Sequence, residues 1–191
     1  MEEIRTYLEK LGGEVSPQLQ ERFSAFEEVH LPKGSYFSKQ GEVCKKMAFL
    51  TRGQIRHYCD IDGKEITGWI SLSQNFVTSF ASFVSGRPSF ENLLCIEDCE
   101  MYLCSKDTFM EIKSEFSSMA EFWTLALEKE VMGYEYRVIQ LISGNAEDRY
   151  LEFLKAYPRF VQEVPQKYLA SMLGIKPRHL SRIRKKLAQE N

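Results

Sequence analysis

Apolar residues recur at helical spacing at the start of the chain. Ile4, Leu8 and Leu11 share one stripe over Glu2–Leu11, and Gly12-Gly13 ends it. Ser16 is placed to cap a second helix with Pro17 in its first turn, and Leu19, Phe23 and Phe26 make its inner face. From about Glu27 to Ser105 the period shortens toward two. Strand-like runs fall at Glu28–Leu31, Tyr36–Lys39, Met47–Thr51, Gln54–Asp60, Glu65–Ile70, Phe90–Ile96 and Glu100–Cys104, separated by Gly, Pro and Asp. Asp62-Gly63 between two of these runs predicts a tight hairpin. Many short strands at regular spacing predict a β-roll or jelly roll.

Helical period then returns. Phe116, Ala120, Trp123, Leu127, Val131, Tyr134, Val138 and Leu141 step by three and four, a near-heptad seam on one helix ending at Ser143-Gly144. At about 1.5 Å per residue that helix spans roughly 40 Å. The seam can pack onto the β-roll or onto the same helix of a second copy, and its length favours the dimer. A helix over Glu147–Tyr157, an extended stretch over Pro158–Val164, and helices over Gln166–Leu173 and Pro177–Gln189 complete the pattern. The expected class is α+β in three parts: a β-roll (1–115), a dimerisation helix (116–145) and a helical C-terminal unit (146–191).

The 191 residues are 43% hydrophobic and 27% charged, enough to bury a real core and unlike a disordered chain. Apolar runs such as Leu93–Ile96 are far too short to cross a membrane, and MEEIRTYLEK has no apolar signal core, so a cytoplasmic protein without membrane contact is expected. The five cysteines read as reduced thiols packed in strands. The spacing of Cys95, Cys99 and Cys104 does not converge on a metal, so neither metal nor cofactor is expected. His30 and His57 read as lone structural residues. No nucleophile–base pair or catalytic carboxylate pair is legible in the β region, which argues against an enzyme.

Net charge is −2, but it is unevenly spread. Residues 165–191 hold seven basic residues against Glu190, a charge of +6 that leaves −8 on the remainder. That basic segment reads VPQKYLASMLGIKPRHLSRIRKKL. Leu169, Ala170 and Leu173 give one helix an inner face, with Ala170 small where two helices cross. Gly174 permits a left-handed turn, Ile175 plugs the corner, and Leu180, Ile183 and Leu187 point inward from the next helix. The opposite face presents Arg178, His179, Ser181, Arg182 and Lys185. This is helix-turn-helix grammar with a basic second helix.

On these residues the chain resembles the CRP/FNR superfamily of bacterial transcription regulators along almost its full length. The resemblance implies a homodimer reading an inverted-repeat site in double-stranded DNA, one recognition helix per half-site. It also implies RNA polymerase as a partner and a small-molecule effector. It places Arg178 and Arg182 at base-reading positions, flanked by His179, Ser181 and Lys185. Lys167, Lys176, Arg184 and Lys186 fall on the same basic surface, and Lys167, Arg184 and Lys186 are expected to hold phosphates. The wing that commonly follows is expected to be short or absent, since the sequence stops at Asn191.

The sensor departs from the family pattern. Members that bind cyclic nucleotides carry a stretch resembling F-x-G-E-L-x-L followed by R-[ST]-A. Here NFVTSFASFVSGRPSFENLL puts Thr78 and Ser79 at the Gly-Glu positions and Ser89-Phe90 at the Arg-Ser positions. The ribose carboxylate and phosphate guanidinium are missing, and Arg87 lies two residues early beside Pro88. An anionic cyclic phosphate is therefore not the expected effector. Phe76, Phe80, Phe83 and Phe90 either fill the roll or, with these polar positions, line a pocket for something else. Iron–sulfur sensing would need N-terminal cysteines, yet the first is Cys44. An alternative remains open: a small-molecule or protein-binding signalling module that does not read DNA. A cupin-like enzyme would need a histidine cluster that the sequence lacks.

Overall fold

The computed structural model describes residues 1–190. Two short helices, α1 (Glu2–Lys10) and α2 (Pro17–Arg22), precede the strands, and Ser16 Oγ caps α2 by accepting the Leu19 N–H at 3.1 Å. Eight strands follow: β1 (Glu27–Leu31), β2 (Tyr36–Ser38), β3 (Lys46–Arg52), β4 (Gln54–Ile61), β5 (Lys64–Leu72), β6 (Asn75–Val77), β7 (Asn92–Cys95) and β8 (Cys99–Ser105). They form two antiparallel four-stranded sheets, in the orders β1-β8-β3-β6 and β2-β7-β4-β5. Asp62 and Gly63 both take positive φ in the β4–β5 hairpin, as the Asp-Gly pair requires.

Helices α3 (Phe80–Ser85), α4 (Lys106–Glu115), α5 (Ser117–Ser143), α6 (Ala146–Ala156), α7 (Pro158–Glu163), α8 (Gln166–Met172) and α9 (Pro177–Glu190) complete the chain. Three departures from the sequence reading have local causes. The expected all-β region contains α3, because Phe80 and Phe83 face one core and Gly86 closes the turn at φ 71°. Pro158–Glu163 is helical rather than extended, since Pro158 starts a helix well and Phe160 is drawn into the core. Phe90 lies outside β7, which begins at Asn92.

Three apolar clusters hold these elements. One joins α1, α2, α3, α4 and the first turns of α5 to the sheet face carrying Met47 and Phe49. A second fills the space between the sheets around Phe37, Leu50, Ile55 and Leu93. The third packs Ile70, Leu72 and Ile96 of the roll against Tyr150, Phe160, Leu169 and Leu180 of the C-terminal helices. Of the cysteines, Cys44, Cys95, Cys99 and Cys104 are buried free thiols and Cys59 is half-buried. Gly53 turns β3 into β4 at φ 93°, where a Cβ would lie 2.5 Å from the Asp98 carbonyl, so only glycine fits.

Candidate effector cavity and nucleic-acid interface

Helix α5 divides in two along its length. Trp123 is 9% exposed, with its ring 5.1 Å from Phe109, 5.7 Å from Phe80 and 6.2 Å from Phe83. Phe116 and Leu127 pack on the same cluster and Ala120 is half-buried, so the first turns of the seam belong to the chain's own core. Trp123 is thereby corrected as a dimer contact: the roll was free to claim the stripe where aromatic residues faced it. Beyond Leu127 the stripe emerges. Val131 is 63% exposed and Val138 52%, with Tyr134 and Leu141 also largely exposed.

Between β5, β6, α5 and the C-terminal helices lies a cavity of about 520 Å³. Phe76, Thr78 and Phe80 line it, together with His57, Trp69, Ser71, Glu91 and Glu130. Ser79 and Ser89 are buried just behind this wall, their hydroxyls 2.9 Å apart. Arg87 and Phe90 do not line it: both are exposed, Phe90 by 60%, and the tight turn after α3 carries Arg87 outward.

The wall contains a polar chain that the sequence concealed. His57 Nε2 lies 2.9 Å from Ser71 Oγ, and His57 Nδ1 lies 3.4 Å from Glu91 Oε2. Ser79 donates to Glu91 Oε1 at 3.1 Å, and Ser89 donates to the Glu91 carbonyl at 2.7 Å. The reading of His57 as a lone residue is therefore corrected, since its ring meets Ser71 and Glu91. Strand pairing joins His57 on β4 to β5 across a bulge, bringing together residues 14 positions apart. Glu91 directly follows Ser89-Phe90, which was the one available signal for it. Glu130 sits on the facing helix, and desolvation at the cavity rim pushes its carboxyl above the usual range, against the pull of Lys129 and His57. Burial raises the Tyr7 phenol to about 12, with Glu130 adding to the effect.

The far end of the cavity belongs to the C-terminal helices. Trp69 packs 5.3 Å from Tyr157 and 4.8 Å from Phe160. Helix α8 docks on β5, whose Thr67 N–H donates to Ser171 Oγ at 2.9 Å. The buried Arg56 guanidinium lies between the rings of Tyr58 and Tyr168, at 4.3 and 4.6 Å, and pairs with Glu65 at 2.6 Å.

The helix-turn-helix forms as read. Gly174 takes φ 67°, Ile175 N–H returns to the Ala170 carbonyl at 3.0 Å, and Leu169, Ala170, Leu180 and Ile183 are buried. Leu187 is half-buried. Along α9 the side chains of Arg178, Ser181, Arg182, Arg184 and Lys185 are exposed, and so is Lys176 just before it. His179 is half-buried. Lys167 lies on α8 with its ammonium 4.6 Å from the Tyr168 ring centroid. Lys186 is exposed, but its ammonium pairs with Glu147 on α6 at 2.7 Å, which ties it to the neighbouring helix. Among the described residues no helix is long and apolar enough to cross a membrane.

Residues 28–116 match the family model of the cyclic nucleotide-binding domain. No curated relative matches the chain in sequence. Among solved structures, the chain is similar to FixK2 from Bradyrhizobium japonicum at 17% identity and TM-score 0.74, covering 86% of this chain and 85% of that one. A CooA variant from Carboxydothermus hydrogenoformans aligns at 17% identity and TM-score 0.72, covering 95% and 84%. A regulator assigned to the crp/fnr family from Eubacterium rectale aligns at 16% identity and TM-score 0.67, covering 92% and 84%. At these identities the likeness is one of fold.

Proposed function

With a cyclic nucleotide-binding domain over residues 28–116 and the overall fold of CRP/FNR regulators as premise, we propose that the chain is a homodimeric, DNA-reading transcription regulator. The observation that carries this reading is α9. Its inner residues Leu180 and Ile183 are buried against α8, while Arg178 and Arg182, one turn apart, stand exposed together on the outer face. That spacing lets both guanidiniums enter one major groove, where arginine bonds guanine O6 and N7. Arg184, Lys185, Lys176 and Lys167 supply neighbouring positive charge for the phosphates.

Dimerisation runs along the second half of α5. Val131, Val138 and Ile142 are all more than half exposed on a helix that continues past the roll, and pairing two such stripes removes them from water at about 25 cal/mol per Å². A two-fold dimer then presents two copies of α9 to an inverted repeat.

The sensor reads something other than a cyclic nucleotide. Ser79 donates to the Glu91 carboxylate and Ser89 to the Glu91 backbone carbonyl rather than leaving a cradle for phosphate, and the Glu91 carboxylate repels an anion from the cavity wall. Arg87 is exposed outside the cavity. In vitro selection from random duplexes tests the DNA reading. Enrichment of an inverted repeat with half-sites about one helical turn apart supports it, and a pool that stays random overturns it.

A further inference from the structure

Among the described residues, the charged groups lining the cavity are paired within the protein everywhere but at its rim. His57 Nδ1 and the Ser79 hydroxyl meet the two Glu91 carboxylate oxygens at 3.4 and 3.1 Å. Arg137 donates to the Met172 and Gly68 carbonyls, and Arg149 to the Leu173 and Gly144 carbonyls. Arg159 pairs with Glu163 at 2.8 Å, while Glu152 accepts from Lys155 at 2.8 Å and from the Tyr136 hydroxyl at 3.1 Å. Lys129 and Glu130 remain, adjacent, opposite in sign and exposed at the rim. Neither sign of charge is left unmatched inside, so an ionic ligand would lose its hydration there without gaining a counter-ion.

What the interior offers is ring surface. Phe76 and Phe122 lie 5.5 Å apart, each edge-on to Tyr7 at 5.8 and 6.1 Å, and form one end. Trp69, Tyr157 and Phe160 form the other. Hydroxyls of the wall bond to their own neighbours: Thr78 donates to the Lys46 carbonyl at 2.9 Å, and Ser71 meets His57. A separate feature keeps the space open. Gly133 lies inside α5 and lines the cavity, where a Cβ would meet nothing closer than the Tyr157 hydroxyl at 3.8 Å. Glycine weakens a helix interior, so α5 gives up local stability at a turn where a longer side chain would occupy the cavity.

We infer that the cavity takes an uncharged, flat aromatic molecule, which passes Gly133 and is held by ring contacts rather than by ion pairs. Such a body buries its apolar surface against the Phe76–Phe122 end and the Trp69–Tyr157 end, and edge-to-face contacts with these rings fix its orientation. The volume of about 520 Å³ suits a small molecule of this kind. Because Trp69 belongs to the roll and Tyr157 to the C-terminal helices, one ligand touches both units. This inference rests on the cavity being the effector site of the proposed regulator.

Thermal unfolding of the full chain without DNA is the test, with three probes of one ring and different charge at about 1 mM. They are para-nitrobenzyl alcohol (neutral), para-nitrobenzylamine (cationic) and para-nitrophenylacetate (anionic). The alcohol is expected to raise the melting temperature by about 3 °C, with no rise from either ion. Gly133→Leu fills the space with a better helix former, so it is expected to keep the far-UV spectrum and weaken binding of the alcohol about tenfold or more. A second measurement needs no variant. Trp69 and Trp123, the two tryptophans of the chain, both line the cavity, so the bound nitro ring is expected to quench their fluorescence saturably. No rise with the alcohol, an equal rise with either ion, non-saturable quenching, or a folded Gly133→Leu protein that binds as the parent does each overturns the inference. Because the readout needs no operator, a failure of DNA binding leaves this result intact, and a failure here leaves the DNA reading intact.

Discussion

Arg137 Nη2 on α5 donates to the Met172 carbonyl at the end of α8 at 2.9 Å, while its other nitrogen donates to the Gly68 carbonyl on β5. One side chain thus ties the long helix to both the roll and the helix-turn-helix. The cavity opens beside this junction, since Glu130, Gly133 and Tyr134 precede Arg137 on the same face of α5.

Arg137→Met keeps the apolar stem but removes both charge-assisted bonds. Loss of about 1.5–3 kcal/mol in urea unfolding is expected. Unchanged stability would mean that the two carbonyls contribute nothing as anchors.

The two halves of α5 should respond differently to charge. Trp123→Glu places a carboxylate among Phe80, Phe83 and Phe109, so the roll is expected to lose about 3–5 kcal/mol and fail to fold cleanly. Val138→Glu sits on the exposed stripe and is expected to yield a folded monomer by light scattering, with the far-UV spectrum retained. A Val138→Glu protein that remains dimeric would place the interface elsewhere.

Glu130 makes the fold mildly pH-sensitive. Its carboxyl titrates above the ordinary 4.5 because the rim desolvates its charged form. The folded state therefore holds this proton more tightly than the unfolded one, and stability falls as pH rises through that region. Glu130→Gln removes the burden, so its melting temperature should exceed that of the parent at pH 7 and converge with it near pH 4. Equal melting temperatures at pH 7 would show that the carboxylate is fully solvated.

Periodicity made the fold legible wherever one local rule dominated. The Asp62-Gly63 hairpin, the Ser16 cap and the Gly174 turn each depend on a few adjacent residues, and all stand where the pattern put them. Contacts distant in sequence were hidden. No local signal says that Trp123 turns inward while Val138 turns outward, because the difference is where the roll ends along α5. His57 looked solitary because its partners Ser71 and Glu91 come from other strands and loops. Lys186 looked like its basic neighbours because Glu147 lies 39 residues away. The basic face of α9 was readable because burial of Leu180 and Ile183 fixes the opposite face of one short helix.

Base reading by α9 underlies the proposed function. Its most direct test is fluorescence anisotropy of Arg182→Ala and Arg184→Ala on a selected operator and on random duplex, across a salt series. Arg182→Ala is expected to cost about 1–3 kcal/mol on the operator and little on random DNA, relaxing specificity at one base pair. Arg184→Ala should weaken both duplexes about equally and lower the salt slope by roughly one unit. Equal losses on both duplexes for Arg182→Ala would make it a phosphate contact. If the parent protein binds neither duplex, α9 is not a DNA reader and the chain is a signalling module that does not read DNA.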